Sequence, residues 1–387
     1  MRVALYTWKD LIDQLVDILG ANPGAEAHRA AKQASLTALR NLASASRWMY
    51  YFDRFRIVTV APYLTGTVAY DQTGGAYERV MTLTDGVWPS WAAQGTLLID
   101  NINYEVVDRK SDTQITLSVA SNPGQDLAAG TTYTLYRDTF PLPSNFQAMG
   151  TLILVSHSTI LSYEHPQTWL ERQRVYRGTA LPRTYCVRGS PDWLNTLAIS
   201  FFPPPDDAYE IDGIYERRPR DLKVDVYSTG TVSVPEGGTT LTGSGTAWTS
   251  RHVGCVIRLS ANNKDLPTAE WGSNPPAVER IVTGVTSATE CTVDDIIDDA
   301  YTGVKYLLSD PVDIETGAML TALLRGCEYQ LATLRRGADR AEAERAYSAA
   351  VILAREADSR HFGPQRVGHN LPFPVRLADM PRGSDLS

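Results

Sequence analysis

Thr65-Gly66-Thr67-Val68 and Thr229-Gly230-Thr231-Val232 open two stretches of this chain that repeat the same features in the same order. In the first, Gly86-Val87-Trp88 precedes Gly95-Thr96-Leu97-Leu98-Ile99; in the second, Gly245-Thr246-Ala247-Trp248 precedes Gly254-Cys255-Val256-Ile257. A Ser-x-Thr-x-x-Thr run follows in each, from Ser111 to Thr116 and from Ser287 to Thr292. Each closes on Gly-x-x-Tyr, at Gly130–Tyr133 and Gly303–Tyr306. Runs of Thr, Val, Ile and Tyr between Gly, Asn and Asp turns are strand signals. Convergent β composition would reproduce the residue types; the shared order points instead to two copies of one small β-sandwich or barrel module. The second copy carries an extra loop around Ser260–Pro276.

Helical patterns surround these stretches. Thr7-Trp8-Lys9-Asp10 reads as a capping box, with the Thr hydroxyl accepting from an early backbone N–H and Asp10 at the positive helix end. Leu11, Ile12, Leu15, Val16 and Leu19 then share a face until Gly20 and Asn22-Pro23-Gly24 stop the helix. A second helix is expected over 25–44, with Ala27, Ala31, Ala34, Ala38 and Leu42 in a narrow stripe. Small residues there allow close helix contact, within the chain or with a neighbouring subunit. Near the other end, 316–336 places Leu320, Leu323, Leu324, Cys327 and Leu331 on one face. A last helix, opened by Asp339 and Glu342 and ending near residue 360, is expected to turn Ala343, Ala346, Tyr347, Ala350, Leu353 and Ala357 inward. The aromatic run from Trp48 to Phe55 reads as the core joint between helix and a strand at 56–61, with base stacking as the lesser reading. Pro141-Leu142-Pro143 marks a boundary, and Pro166 starts a short helix. Strands are expected at 196–202 and 209–215, around the rigid turn Pro203-Pro204-Pro205-Asp206-Asp207.

The expected fold class is therefore α+β and multidomain: a helical-bundle body with two inserted small β-sandwich or barrel modules and an extended C-terminal tail. The segments are 1–63 (body), 64–137 (module 1), 138–225 (body, with short strands), 226–309 (module 2), 310–360 (C-terminal helices) and 361–387 (tail). Modules spliced into a body in this way tend to project and offer contact surface.

Composition narrows the function. The chain has 387 residues, more than one ordinary domain, and its 43% hydrophobic content supplies a substantial core. A net charge of -8 with no basic stripe argues against sequence-specific nucleic-acid binding. Cys186, Cys255, Cys291 and Cys327 show no metal or redox spacing and read as buried, reduced thiols. No apolar run is long enough to cross a membrane, and no basic-then-apolar leader opens the chain.

Catalytic signatures are missing. His28, His157, His165, His252, His361 and His369 form no H-E-x-x-H or paired spacing. Leu241-Thr242-Gly243-Ser244-Gly245 lies in a β turn, not on the strand-to-helix elbow that a nucleophilic Ser needs. Asp294, Asp295, Asp298 and Asp299 form the densest acidic cluster; without EF-hand spacing it reads as a solvated loop in preference to a calcium site. The expectation is no enzyme, no cofactor and no metal.

Several stretches carry a family likeness. Tyr6-Thr7-Trp8-Lys9-Asp10-Leu11-Ile12, Gly230-Thr231-Val232-Ser233-Val234, Leu241-Thr242-Gly243-Ser244-Gly245-Thr246-Ala247-Trp248 with Val253-Gly254, Leu142-Pro143-Ser144-Asn145-Phe146, and Phe202-Pro203-Pro204-Pro205 followed by Tyr215-Glu216-Arg217-Arg218-Pro219 together resemble the head-to-tail adaptor (neck) proteins of tailed bacteriophages. The likeness covers most of the chain in patches, and its β-module text also occurs in other phage structural proteins. It implies a ring, commonly of twelve copies, docked under the portal in the virion neck and assembled in the host cytoplasm. The ring's other partners would be a tail or nozzle protein and possibly tail fibres, with genomic DNA passing through unbound. The matching portal-gripping segment is the tail, with Val367, Leu371, Phe373, Val375 and Leu377 as its apolar anchors. The alanine stripe Ala27, Ala31, Ala34 and Ala38 is the expected inter-subunit helix contact. An acidic chain suits a DNA conduit, since lumen carboxylates repel phosphate. The alternative function is a tail-associated adhesin or carbohydrate-binding protein, using Trp88, Trp91, Trp248 and Trp271 of the β modules.

Overall fold

The computed structural model describes residues 5–20, 24–72, 79–190, 192–269, 272–315, 317–334 and 339–360. Two helices come first, α1 (Trp8–Leu19) and α2 (Ala25–Ala45), followed by strand β1 (Phe52–Val58). Module 1 comprises β2 (Thr67–Asp71), β3 (Val80–Thr84), β4 (Thr96–Ile99), β5 (Ile102–Arg109), β6 (Gln114–Leu117), β7 (Leu127–Thr131) and β8 (Thr134–Tyr136). A middle region contains β9 (Thr139–Pro141), β10 (Phe146–Leu154), β11 (Thr159–Tyr163), helix α3 (Pro166–Val175), β12 (Thr184–Gly189), β13 (Leu197–Phe202) and β14 (Glu210–Arg217). Module 2 comprises β15 (Thr231–Val234), β16 (Gly238–Ser244), β17 (Val256–Leu259), β18 (Val278–Ser287), β19 (Glu290–Ile297), β20 (Tyr301–Val304) and β21 (Tyr306–Ser309), and the helices α4 (Ala318–Leu334) and α5 (Arg340–Ser359) close the series.

The expected helical-bundle body does not hold. Among the described residues the fold is mostly β, with three seven-stranded sheets and five helices that supply 27% of it. The error lies chiefly in the middle region, read as body with short strands. It forms a full sheet of order β1-β14-β10-β11-β12-β13-β9 and one ten-residue helix. Its strands alternate inward and outward residues: Phe55, Leu152, Leu154, Leu161, Ile211 and Tyr215 are buried, while Arg54, Ile153, Ile160 and Ile214 face out. That alternation has a period of two, which a helix cannot use.

The described residues fall into two compact units, 52–218 and 5–51 with 219–360. The first unit holds module 1 and the middle sheet. The second holds module 2 and a helical cluster. In that cluster α2 packs against α1 and α4, and α5 packs against α4. The capping box forms as the sequence predicts: Thr7 Oγ1 accepts from the Asp10 N–H, and Asp10 accepts from the Thr7 N–H at 3.0 Å. Helix α5 keeps most of its expected inner face, with Ala350 buried and Ala343, Ala346, Tyr347 and Ala357 half-buried, and departs from it at Leu353. Val351, Ala354 and Asp358 are buried beside Ala350, whereas Leu353 is 61% exposed.

The two modules share one strand order. Numbering each module's strands from one to seven, both sheets run 6-1-2-5-4-3-7. The correspondence extends to single hydrogen bonds. Tyr63 and Tyr227 each bridge the last strand, at Leu135 and Leu308. Each Tyr hydroxyl accepts a backbone N–H, from Val87 at 3.1 Å and from Ala247 at 2.7 Å. Tyr133 and Tyr306 donate to the Thr65 and Thr229 carbonyls, both at 2.7 Å. Trp88 and Trp248 lie edge-on to those tyrosines, 5.2 and 5.8 Å between ring centres. The chief divergence is a connection. Module 1 joins β4 to β5 through Asp100-Asn101, both at positive φ, a tight hairpin turn; module 2 uses residues 260–277 instead.

The Thr-Gly-Thr-Val openings now have a physical cause. Gly66 and Gly230 adopt φ of +79° and +86°, and a Cβ there would stand 2.2 Å from the Thr84 carbonyl oxygen and 2.4 Å from that of Ser244. Gly230→Ala should therefore lower stability by about 2 kcal/mol or more, against about 1 kcal/mol for Gly237→Ala, where φ is also positive but the space is open. Chemical denaturation of both variants checks this; equal losses would refute the close approach as the cause.

Candidate assembly surfaces

Ala31, Ala34 and Ala38 are fully buried inside the helical cluster of their own chain, and Ala27 is half-buried near the start of α2. Across from the stripe, Gly326 of α4 keeps its Cα bare, and a Cβ there would stand 3.0 Å from the Tyr347 ring and 3.4 Å from the Ala38 Cβ. The small residues thus let helices of one subunit approach closely. The tail residues Val367, Leu371, Phe373, Val375 and Leu377 lie outside the described residues, as does Trp271. Trp88 and Trp248 are core residues of their modules, while Trp91 is half-buried.

The strongest electrostatic feature joins α1 to module 2. Arg258 on β17 is 2% exposed and donates to both Asp10 oxygens, from Nη1 at 2.7 Å and Nη2 at 2.9 Å. Its Nε reaches Glu279 at 2.7 Å, and Nη2 also meets the Leu5 carbonyl at 2.8 Å. Glu279 sits directly opposite Arg258 on β18, so one cross-strand pair is extended by the helix cap. Asp310, fully buried, takes N–H donors from Lys223 at 2.5 Å and Val224 at 2.6 Å, and the Arg220 guanidinium at 2.9 Å. Its own carbonyl accepts the Trp8 N–H at 2.8 Å. Sequence reading missed both hubs. Arg258 in the otherwise apolar strand Val256–Leu259 was the available signal.

A second buried polar seam lies beneath α3. Asp138 accepts from Thr139 Oγ1 at 2.8 Å and Gln173 Nε2 at 2.9 Å. The Thr139 and Ser200 hydroxyls share a 2.8 Å bond, and Arg188 Nε donates to Ser200 at 3.2 Å. Burial raises the Asp138 carboxyl above the usual carboxylate range, outweighing these donors and Arg188.

The four cysteine thiols find no activation. Burial pushes Cys186 up to about 11, Cys255 and Cys291 to about 12, and Cys327 higher still, so none offers a thiolate at neutral pH. Burial lowers His252, whose Nδ1 faces the Thr249 N–H at 3.0 Å as a local cap. Among the described residues, no three His, Cys, Asp or Glu side chains gather to hold a metal ion, and no helix is long and apolar enough to cross a membrane.

One open pocket of about 390 Å³ lies in the middle sheet, between the turn at Pro143–Phe146 and the loop joining β12 to β13. Trp193 and Leu194 project from that loop, and Leu194 is 83% exposed. Arg218 borders the pocket. Its backbone N–H is held by the Asn145 carbonyl at 2.6 Å, while its guanidinium has no partner among the described residues.

No protein-family model matches the chain, and no curated protein or solved structure shows significant similarity to it.

Two outcomes follow from the buried charges. Arg258→Met strands Asp10 and Glu279 and should cost about 3–5 kcal/mol in denaturant titration. Arg258→Lys should recover little, since an ammonium cannot serve both Asp10 oxygens in parallel. A loss below about 1 kcal/mol would show the hub to be dispensable. Because the folded Asp138 carboxyl is raised, its contribution is present at low pH and is lost as pH rises through the raised value. Asp138→Asn should therefore gain stability over wild type progressively from pH 4 to pH 8 in thermal melts. A pH-independent difference would contradict that sign.

Proposed function

We propose that this chain is a structural assembly subunit, a head-to-tail adaptor of a tailed bacteriophage. In this reading it forms a ring, of twelve copies as such adaptors commonly do, beneath the portal. Tail components meet its far side and DNA passes through. The helical-body version of this idea is set aside; the subunit is a β-rich one.

The supporting observation is an asymmetry between the duplicated modules. The aromatic and glycine features they share are spent on each module's own core. Their surfaces differ at matched positions. Leu64, next in the chain to Tyr63, and Val87, whose N–H bonds the Tyr63 hydroxyl, are 61% and 56% exposed in module 1. Module 2 carries Ser228 and Ala247 there. Val107, exposed in module 1, corresponds by strand register to Thr283. At these positions exposed apolar groups of module 1 stand where module 2 has polar or small ones, while module 2 exposes Ile296, so the two copies favour different contact surfaces. The motif likeness described above names the assembly.

Electron microscopy of the purified protein mixed with portal tests the reading. A symmetric ring docked to the portal is expected, and a monomer that ignores the portal would end it. Removing residues 363–387 should abolish docking while leaving the melting temperature unchanged. If the shortened chain still docks, the tail is not the portal grip.

A further inference from the structure

The acidic cluster singled out in the sequence remains unused by everything above. It occupies the end of β19 and the turn into β20. Asp295, Asp298 and Asp299 are exposed and carry no ion pair among the described residues. Between them Ile296 is 49% exposed, its carbonyl pinned by the Arg280 guanidinium at 3.1 and 2.5 Å. The Asp295 carboxylate accepts the Ile296 N–H at 2.9 Å, which further orders the strand end. An apolar side chain is thus presented on an ordered backbone among three unpaired carboxylates.

The pocket beside Arg218 has the converse chemistry. Trp193, Leu194 and Phe146 supply apolar wall, Ser190 and Asn195 supply polar groups, and the Arg218 guanidinium at its border has no partner among the described residues, while the Asp192 carboxylate of that loop accepts from Ser190 Oγ at 3.3 Å. Beside it, the Trp193 N–H bonds the Ser190 carbonyl and the Thr196 N–H that of Trp193, both at 3.3 Å. Arg137 lies 5.7 Å from the centre of the Trp193 ring. A pocket of about 390 Å³ has room for an isoleucine side chain and its neighbours.

We propose that the pocket bordered by Arg218, Trp193 and Leu194 receives the Asp295–Asp299 segment of a second copy of this chain. Ile296 enters against Trp193 and Leu194, and the flanking carboxylates meet Arg218. Apolar centre and charged rim match in the order that specific interfaces use. The two surfaces are different patches of one chain, so the contact is heterologous. Repeated head to tail, it closes into a ring or continues as a filament, whereas a reciprocal two-fold pairing of the same patches would end at a dimer and overturn the ring contact. This inference rests on the ring reading and names the surfaces that would build it.

Charge exchange and crosslinking test it together, on the full chain. Arg218→Glu should weaken self-association about tenfold or more, measured by sedimentation at low salt. Asp295→Lys with Asp298→Lys should do the same, and the three changes combined should restore it. Leu194→Cys together with Ile296→Cys should give an oxidised ladder extending past dimer; either single variant should stay monomeric, because each contact then holds one thiol and the four native cysteines are buried. The proposal is overturned if the charge variants associate like wild type, if the combination fails to restore association, or if the double-cysteine chain gives no ladder. Rings unaffected by these changes would leave the adaptor reading standing without this contact. Loss of portal docking with self-association intact would instead assign the pocket to the portal and overturn the proposal.

Discussion

A single arginine in an apolar strand organises half of this molecule. Arg258 is buried between the capping carboxylate of α1 and Glu279 on the neighbouring strand. Burying three charges carries a heavy desolvation cost, which only close, complete pairing offsets. Here every guanidinium nitrogen has a partner, and Asp10 serves both as helix cap and as counter-ion. The consequence is positional: α1 must begin where module 2 presents Arg258. Asp310 repeats the logic one step along, gathering Arg220, two backbone N–H groups and the chain entering α1.

The duplicated module shows what that arginine changed. Leu98 occupies the matching position in module 1, opposite Asn103 where module 2 has Glu279. The two modules keep the same strand order, tyrosine bridge and tryptophan packing. Their cores are therefore conservative and their outer faces are not. One outer face became a charged socket for a helix, while the other copy kept apolar side chains near its tip. One scaffold used twice with different surfaces lets the two modules make different contacts.

The helical segments gain their stability in the same local way. Alanines on α2 and the bare Gly326 on α4 permit close packing, and the burial of Leu11, Leu15, Leu42 and Leu323 supplies the hydrophobic term. Such a stripe can serve a neighbour or its own chain, and the deciding quantity is burial. With Ala31, Ala34 and Ala38 enclosed by helices of the same chain, this stripe is spent on packing within it.

Local chemistry was legible from residues alone. The capping box at Thr7–Asp10, the helix start at Pro166, and the glycine-led strand openings at Gly66 and Gly230 follow from backbone geometry that a few neighbouring residues dictate. The repeat was legible too, because order along a chain survives in text. The middle sheet was not, since its strands pair across long separations and their alternation is diluted by bulges, as between Met149 and Leu152. Nor was the orientation of α5, where neighbouring apolar residues compete for one face and only packing chose Val351 over Leu353. The pairing of Arg258 with Asp10 spans 248 residues, and no local rule relates them. Sequence determined the pieces and their caps; tertiary structure alone decided which buried charges meet, because burial, and with it the need for a partner, exists only once the chain has closed around them.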